Sequence, residues 1–294
     1  KYAIIQERKM ITVDENRNSN ISSEHSEELL NIIENFRLMD DTFMSKVFED
    51  KSCAELLLRV ILNRDDLTVV RVVSQFGIKN LQGRSARLDI YAVDDKGKHY
   101  DVEVQRSDDG AAIRRARYNS SLLDANLLNP GDKFDELPES YIIFITEHDV
   151  LKGGKPLYTV NRTISELNHA IFTDGSHIIY VNGEIRNGTA LGELMQDFFC
   201  KDPREMHYKV LSDRAGYFKK DKEGVDTMCK LMEDYADKRA RQAAEAAAEK
   251  AAKERSISIA TNLWNKGERD LQQIADLTDL PLDEVKKLFE GKTA

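Results

Sequence analysis

Residues 84–106, RSARLDIYAVDDKGKHYDVEVQR, constrain this chain more than any other stretch. Two runs of alternating apolar and polar residues flank Asp94-Asp95-Lys96-Gly97-Lys98, where Gly97 can supply a positive φ. That pattern predicts a β-hairpin. With Asp95, Lys96 and Gly97 in the turn, Asp94 pairs with Lys98, Asp89 falls opposite Glu103 and Arg87 opposite Gln105. Side chains alternate faces with period two. Leu88, Ile90, Ala92, Val102 and Val104 then share an apolar face, and Asp89, Tyr91, Asp101, Glu103 and Gln105 share the other. Opposed carboxylates repel. Two readings follow. A divalent cation between Asp89 and Glu103 turns the repulsion into binding, or the acids form the solvated face of an amphipathic ribbon. A slip of one residue in register would exchange the faces.

The arrangement Asp89-x13-Glu103-Val104-Gln105 resembles the PD-(D/E)XK nuclease motif, in which an Asp and a Glu from successive strands bind the metal. Gln105 stands where that family commonly has Lys, and Leu88 where it has Pro. More narrowly, the chain is similar to the recombination-promoting nucleases, also described as PD-(D/E)XK nuclease family transposases. Ile179-Tyr180-Val181-Asn182-Gly183, Asp197-Phe198-Phe199-Cys200-Lys201-Asp202-Pro203 and Gly216-Tyr217-Phe218-Lys219 carry that match, which spans about residues 36 to 294.

The resemblance implies an α/β fold with a restriction-endonuclease-like αβββαβ core and a long helical C-terminal extension. It implies a metal-dependent DNA endonuclease that hydrolyses phosphodiester bonds, linked to recombination, mobile elements or phage defence. Asp89 and Glu103 would hold Mg²⁺ or Mn²⁺, with the Val104 carbonyl as a third oxygen. Gln105 can orient a water by hydrogen bonding but carries no positive charge. Glu55 and Asp41, from the first helices, are auxiliary candidates. Glu55 also reads as the partner of Ser52 in a capping box. By the same resemblance an Arg and a Tyr on the helix after the third strand approach the site, which selects Arg115 and Tyr118. Arg87, Arg106 and Arg114 complete the expected phosphate-binding set on double-stranded DNA, since guanidinium forks match phosphate oxygens. A solvated helix face pairing with Asp108 and Asp109 is the alternative for the arginines. Hydrolysis ranks above strand transfer. The competing function is a catalytically weak or inactive nuclease fold serving as a DNA- or protein-binding assembly module, which the acidic excess and Gln105 favour.

Four segments follow: a polar leader over 1–35, ending in a short helix from Ser23 to Phe36; the nuclease-like domain over 36–224; an Ala/Glu/Lys-rich helix over 225–262; and a helix-turn-helix-like module over 263–294. In the second, helices cover Asp40 to Asn63, strands Leu67 to Phe76 and Tyr141 to Thr146, and a helix Ala111 to Leu128 with Ile113 turned inward. Leu157 to Val160 and His177 to Val181 read as further strands. The third segment has little apolar to bury and reads as a spacer or an oligomerisation arm. In the fourth, Ile274, Leu277, Val285 and Phe289 suit a small core. Lys286 and Lys287 face Asp283, Glu284 and Glu290, so protein packing competes with DNA reading. The resemblance associates this tail with sequence recognition and homo-oligomer formation.

A net charge of −9 argues against a protein that coats nucleic acid non-specifically, so any DNA contact must be local. No apolar run approaches the ~20 residues of a membrane span, and no secretory pattern opens the sequence. Cys53, Cys200 and Cys229 read as reduced thiols, predicting the cytoplasm. A zinc site from Cys200, His207 and Cys229 is discounted because no close Cys pair supports it.

Overall fold

The computed structural model describes residues 27–80 and 83–290. The polar leader lies mostly outside them; within them, 27–35 is helical. The chain divides between Lys230 and Leu231 into two compact units.

After the 27–35 helix the first unit continues with α1 (Asp41–Val47) and α2 (Lys51–Leu62), then β1 (Val69–Ile78), β2 (Ala86–Asp94) and β3 (His99–Gln105). Helix α3 (Ile113–Ala125) leads to β4 (Ser140–Thr146), followed by β5 (Leu157–Val160), β6 (Thr163–Ile164), β7 (Ala170–Ile171) and β8 (Ser176–Asn182). Helices α4 (Ala190–Phe199) and α5 (Lys209–Lys220) precede the 44-residue α6 (Lys222–Asn265). Six strands form one mixed sheet in the order β1-β2-β3-β4-β8-β5. The succession α2, β1, β2, β3, α3, β4 is the expected αβββαβ core.

The β2–β3 turn sets the register. Gly97 takes φ +75° and donates to the Asp94 carbonyl at 3.1 Å, while the Asp94 amide donates to the Lys98 carbonyl at 3.1 Å. Asp94 Oδ1 accepts from the Lys96 and Lys98 amides at 3.0 and 2.8 Å, so the side chain fastens its own turn. Ile90 then pairs with Val102 and Tyr91 with Asp101, the register expected from the sequence.

Both faces of the sheet are covered. Helix α3 lies over β4 and β8, and α1 and α2 lie over β1 and β2. Strand β3 runs parallel to β4, with Asp101 level with Ile142 and Glu103 level with Phe144. Ile142, Phe144 and Tyr180 pack with Ala116, Leu122 and Leu123 of α3 in one core cluster. Val102, Val104, Ile143 and Ile145, on the alternate positions, are equally buried. The acidic positions of β3 therefore lie inside the protein. The solvated-ribbon reading is corrected: Asp101 and Glu103 are both 0% exposed, because α3 covers the face they occupy.

Other local expectations change as well. The N-cap of α2 is Asp50, whose Oδ1 accepts from the Ser52 and Cys53 amides at 2.9 and 3.2 Å. The helix thus begins earlier than a Ser52–Glu55 box requires. A 3₁₀ turn over Asp108–Ala111 precedes α3, which leaves Ile113 in the first α-helical turn, 66% exposed.

In the second unit, α7 (Leu271–Thr278) is capped by Asp270, and α8 (Leu282–Phe289) follows Pro281. Their core also takes Ala260 and Trp264 from the end of α6, with Trp264 stacked on Phe289 at 4.4 Å between ring centroids. Leu277, expected in that core, is exposed. Lys286 lies 3.9 Å from Asp283, and Lys253 pairs with Glu284 at 2.9 Å.

Candidate active site

Three carboxylates gather where β2 and β3 run beneath α3. Asp89 Oδ2 accepts from the Val104 amide at 3.1 Å, which draws the β2 side chain across to β3. Gln105 Nε2 lies 3.4 Å from the same Asp89 oxygen and 3.2 Å from Glu103 Oε2. Asp89 and Glu103 thus converge on a common donor. Arg115 of α3 donates one Nη to Glu103 Oε2 and the other to the Gly110 carbonyl at 2.7 Å. One turn further along α3, Asn119 Nδ2 donates to Glu103 Oε1 at 3.3 Å and to Asp101 Oδ2 at 3.2 Å. Asp101 Oδ1 is buried without a partner among the described residues.

The electrostatics follow from that burial. Loss of water pushes the Glu103 carboxyl far above the ordinary carboxylate range, and repulsion from Asp101 and Asp89 adds to it against the pull of Arg115. Burial likewise raises Asp101, partly opposed by the Asn119 hydrogen bond. Asp89 is raised for the same reason, and the Val104 amide works against the shift. The centre holds more negative charge than its neighbours neutralise, so it favours protons or cations.

A cleft of about 800 Å³ opens onto Arg115 and Asn119. Arg84, Arg87, Arg114 and Arg115 line it, together with Tyr118 and a single acid, Asp109. Tyr118 donates to the Arg84 carbonyl and accepts from Asn80 Nδ2 at 3.1 Å, tying the segment before β2 to α3. Four arginines against one acid give this hollow a local excess of positive charge in a chain whose net charge is −9.

The other expected residues separate into near and far. Asp41, at the start of α1, retains solvent access. The surrounding protein raises its carboxyl against the pull of Arg87, and its charge acts on both Asp89 and Glu103. Glu55 is committed elsewhere: Oε2 accepts from the Val69 amide at 2.9 Å and Oε1 pairs with Arg59 at 2.8 Å, which fastens α2 to β1. Arg106 is absent from the cleft lining and bonds Asp40 at 2.9 Å, with Glu147 at 3.5 Å. Val104 meets Asp89 through its amide. Asn119, Asp101 and Arg84 were not singled out from the sequence as site residues. Asn119 lies one helical turn beyond Arg115, and that spacing alone would have found it.

Among the described residues, no group of three or more His, Cys, Asp or Glu side chains is arranged to hold a metal ion. The donor set nevertheless suits a hard cation, which needs only one or two carboxylates beside water and substrate oxygens. Asp89 and Glu103 offer two converging carboxylate oxygens, and Asp101 Oδ1 lacks a partner. Gln105 Nε2 and Arg115 would have to yield those oxygens.

No curated protein and no solved structure matches the chain. The model of the family described as PD-(D/E)XK nuclease family transposase matches residues 44–189, a stretch that includes Asp89, Asp101, Glu103, Gln105, Arg115 and Asn119. With its mixed six-stranded sheet and αβββαβ core, the chain belongs to that PD-(D/E)XK nuclease family.

Proposed function

We propose that this chain is a metal-dependent endonuclease that hydrolyses phosphodiester bonds in double-stranded DNA. One observation carries the reading: the Asp89 and Glu103 carboxylates, from adjacent strands, converge on one point beside an arginine-lined cleft. Asp89 and Glu103 would hold Mg²⁺ or Mn²⁺, with the Val104 carbonyl as a further oxygen. Such an ion supplies charge for the phosphoryl group and acidifies a bound water. The protein's own groups do the positioning. Arg115 and Asn119 fix the two oxygens of Glu103, and the Val104 amide fixes Asp89. Arg87 and Arg114 receive the DNA backbone, while Tyr118 steadies the cleft wall. Gln105, neutral at every working pH, orients water and takes no proton.

A second reading has its own support. Gln105 and Arg115 already satisfy the acids internally, an arrangement that suits a nuclease fold retained for binding without turnover. Two measurements separate the readings. Parent protein should cut plasmid DNA with Mg²⁺, and Asp89→Ala should abolish cutting while its circular dichroism and melting point stay close to the parent's. Equal cutting by Asp89→Ala would remove Asp89 from the mechanism. Calorimetric titration with Mn²⁺ that gives no heat, with or without DNA, would select the binding module.

A further inference from the structure

We propose that Gly110 is a positioning residue for the acidic centre, seating the Gln105 carboxamide in the space its missing side chain leaves and holding Arg115 with its carbonyl. Its role in a reaction rests on the nuclease reading; its placement rests on geometry alone. A Cβ on Gly110 would lie 2.1 Å from Gln105 Oε1, 3.1 Å from Cδ and 3.6 Å from Cβ of the same side chain. The Gln105 side chain therefore lies along Gly110, at a distance no other residue type permits. Conformation is not the reason for glycine here, since Gly110 is not among the glycines with positive φ. Room is the requirement.

The backbone at this position is itself anchored. The Gly110 amide donates to the Ser107 carbonyl at 3.0 Å within the 3₁₀ turn, and its carbonyl accepts from Arg115 Nη1 at 2.7 Å. Arg115 and Gln105 are two of the donors that reach the acids: both bond Glu103, and Gln105 also reaches Asp89. A residue with no functional group thus aims two side chains that have them. Alanine at 110 would displace the far end of Gln105, a flexible group that can rotate away, so the amide loses its aim while the fold survives.

The test compares Gly110→Ala in the parent and in the Gln105→Ala background, using the full chain. The first readout is the pair of Gln105 side-chain amide resonances in a ¹H–¹⁵N spectrum, assigned by their disappearance in Gln105→Ala. The second is Mg²⁺-dependent plasmid cleavage. In Gly110→Ala the Gln105 resonances should move to the positions of a solvent-exposed glutamine. Cleavage should fall by up to about a hundredfold, the cost that a misplacement of about an ångström can carry. In the Gln105→Ala background the same change should alter cleavage by less than about twofold, because coupled residues are not additive. Unmoved resonances in a folded Gly110→Ala protein would overturn the proposal, as would equal losses in both backgrounds. If Gly110→Ala does not fold, the double variant must, since the nearest atoms to the new methyl belong to Gln105; a double variant that also stays unfolded would overturn it. A parent that cuts nothing removes the nuclease reading, and the resonances still decide the placement.

Discussion

Strands β3 and β4 lie side by side, run parallel and are equally deep, yet their sequences obey different rules. Strand β4, SYIIFIT, reads as a near-continuous apolar run, which is what a strand covered on both faces requires. Strand β3, HYDVEVQ, follows that rule on one face with Tyr100, Val102 and Val104. On the other it places Asp101 level with Ile142 and Glu103 level with Phe144, all of them 0% exposed. Burying carboxylates costs free energy unless charge and hydrogen bonds compensate, and here Arg115 and Asn119 compensate only in part. Stability alone would have made β3 resemble β4. Departures of this kind, where one strand breaks the rule its neighbour keeps, are where function is expected.

The comparison breaks most sharply if β3 is made to resemble β4. Glu103→Leu should reduce Mg²⁺-dependent cleavage to background, a loss of at least ~10³-fold. Metal-free, the variant should melt close to the parent, because losing Glu103 removes a costly buried carboxylate and relieves the repulsion it shares with Asp101 and Asp89. Arg115, about one-third exposed, would return to solvent. A denaturation midpoint clearly below the parent's would mean that Glu103 is a structural residue, and the contrast between the strands would lose its functional meaning.

A milder intervention leaves the sequence alone and changes pH. Asp89, Asp101 and Glu103 all have carboxyls raised in the folded protein, chiefly by burial. A raised folded value means that the native state holds its protons more tightly than the unfolded chain. The stabilisation from this trio is complete below the unfolded carboxylate values near ~4, and it is lost as pH rises through the elevated folded values. Metal-free protein should therefore melt at progressively lower temperature as pH climbs from ~5 towards ~8, opposite to the usual trend for paired carboxylates. Saturating Mg²⁺ should flatten that slope, and Glu103→Gln should flatten part of it without metal. A melting point that rises over this interval in metal-free parent would contradict the electrostatic account.

How much of this was legible beforehand depended on how local each signal was. The hairpin register followed from Asp94 to Lys98 alone, because turn chemistry and period-two alternation act within a few residues. The paired ladder ends at Ile90 and Val102, so Asp89 and Glu103 are not a ladder pair; Asp89 reaches β3 through the Val104 amide. What sequence could not supply was depth: the same alternation describes a ribbon facing water and one lying under a helix. Only α3, which crosses over from β3 to β4, turns Asp101 from a surface acid into a buried one. Glu55 was ambiguous for a related reason, since its partner Val69 lies on the next element and no local pattern announces that bond. Arg106 shows the same limit, because proximity in sequence to the acids is not proximity in space. At the end of β3 it meets Asp40 and Glu147 instead of the cleft.

That last distinction gives the smallest expected effect and a sharp contrast. Arg87 and Arg114 line the cleft and form no salt bridge to an acid among the described residues, whereas Arg106 bonds Asp40 and Glu147. Arg87→Ala and Arg114→Ala should each raise KM for DNA several-fold, with kcat little changed, and lower the dependence of log affinity on log salt by about one. Arg106→Ala removes an exposed ion pair worth roughly 0–1 kcal/mol and should leave KM and the salt slope within about twofold of the parent. The salt slope decides between the two sets because it counts phosphates neutralised and ignores small changes in fold. If Arg106→Ala lowers it as much as Arg87→Ala does, DNA runs past Asp40 and Glu147 and the path of the nucleic acid must be redrawn. If neither cleft arginine moves it, the hollow above Arg115 and Asn119 does not receive the backbone.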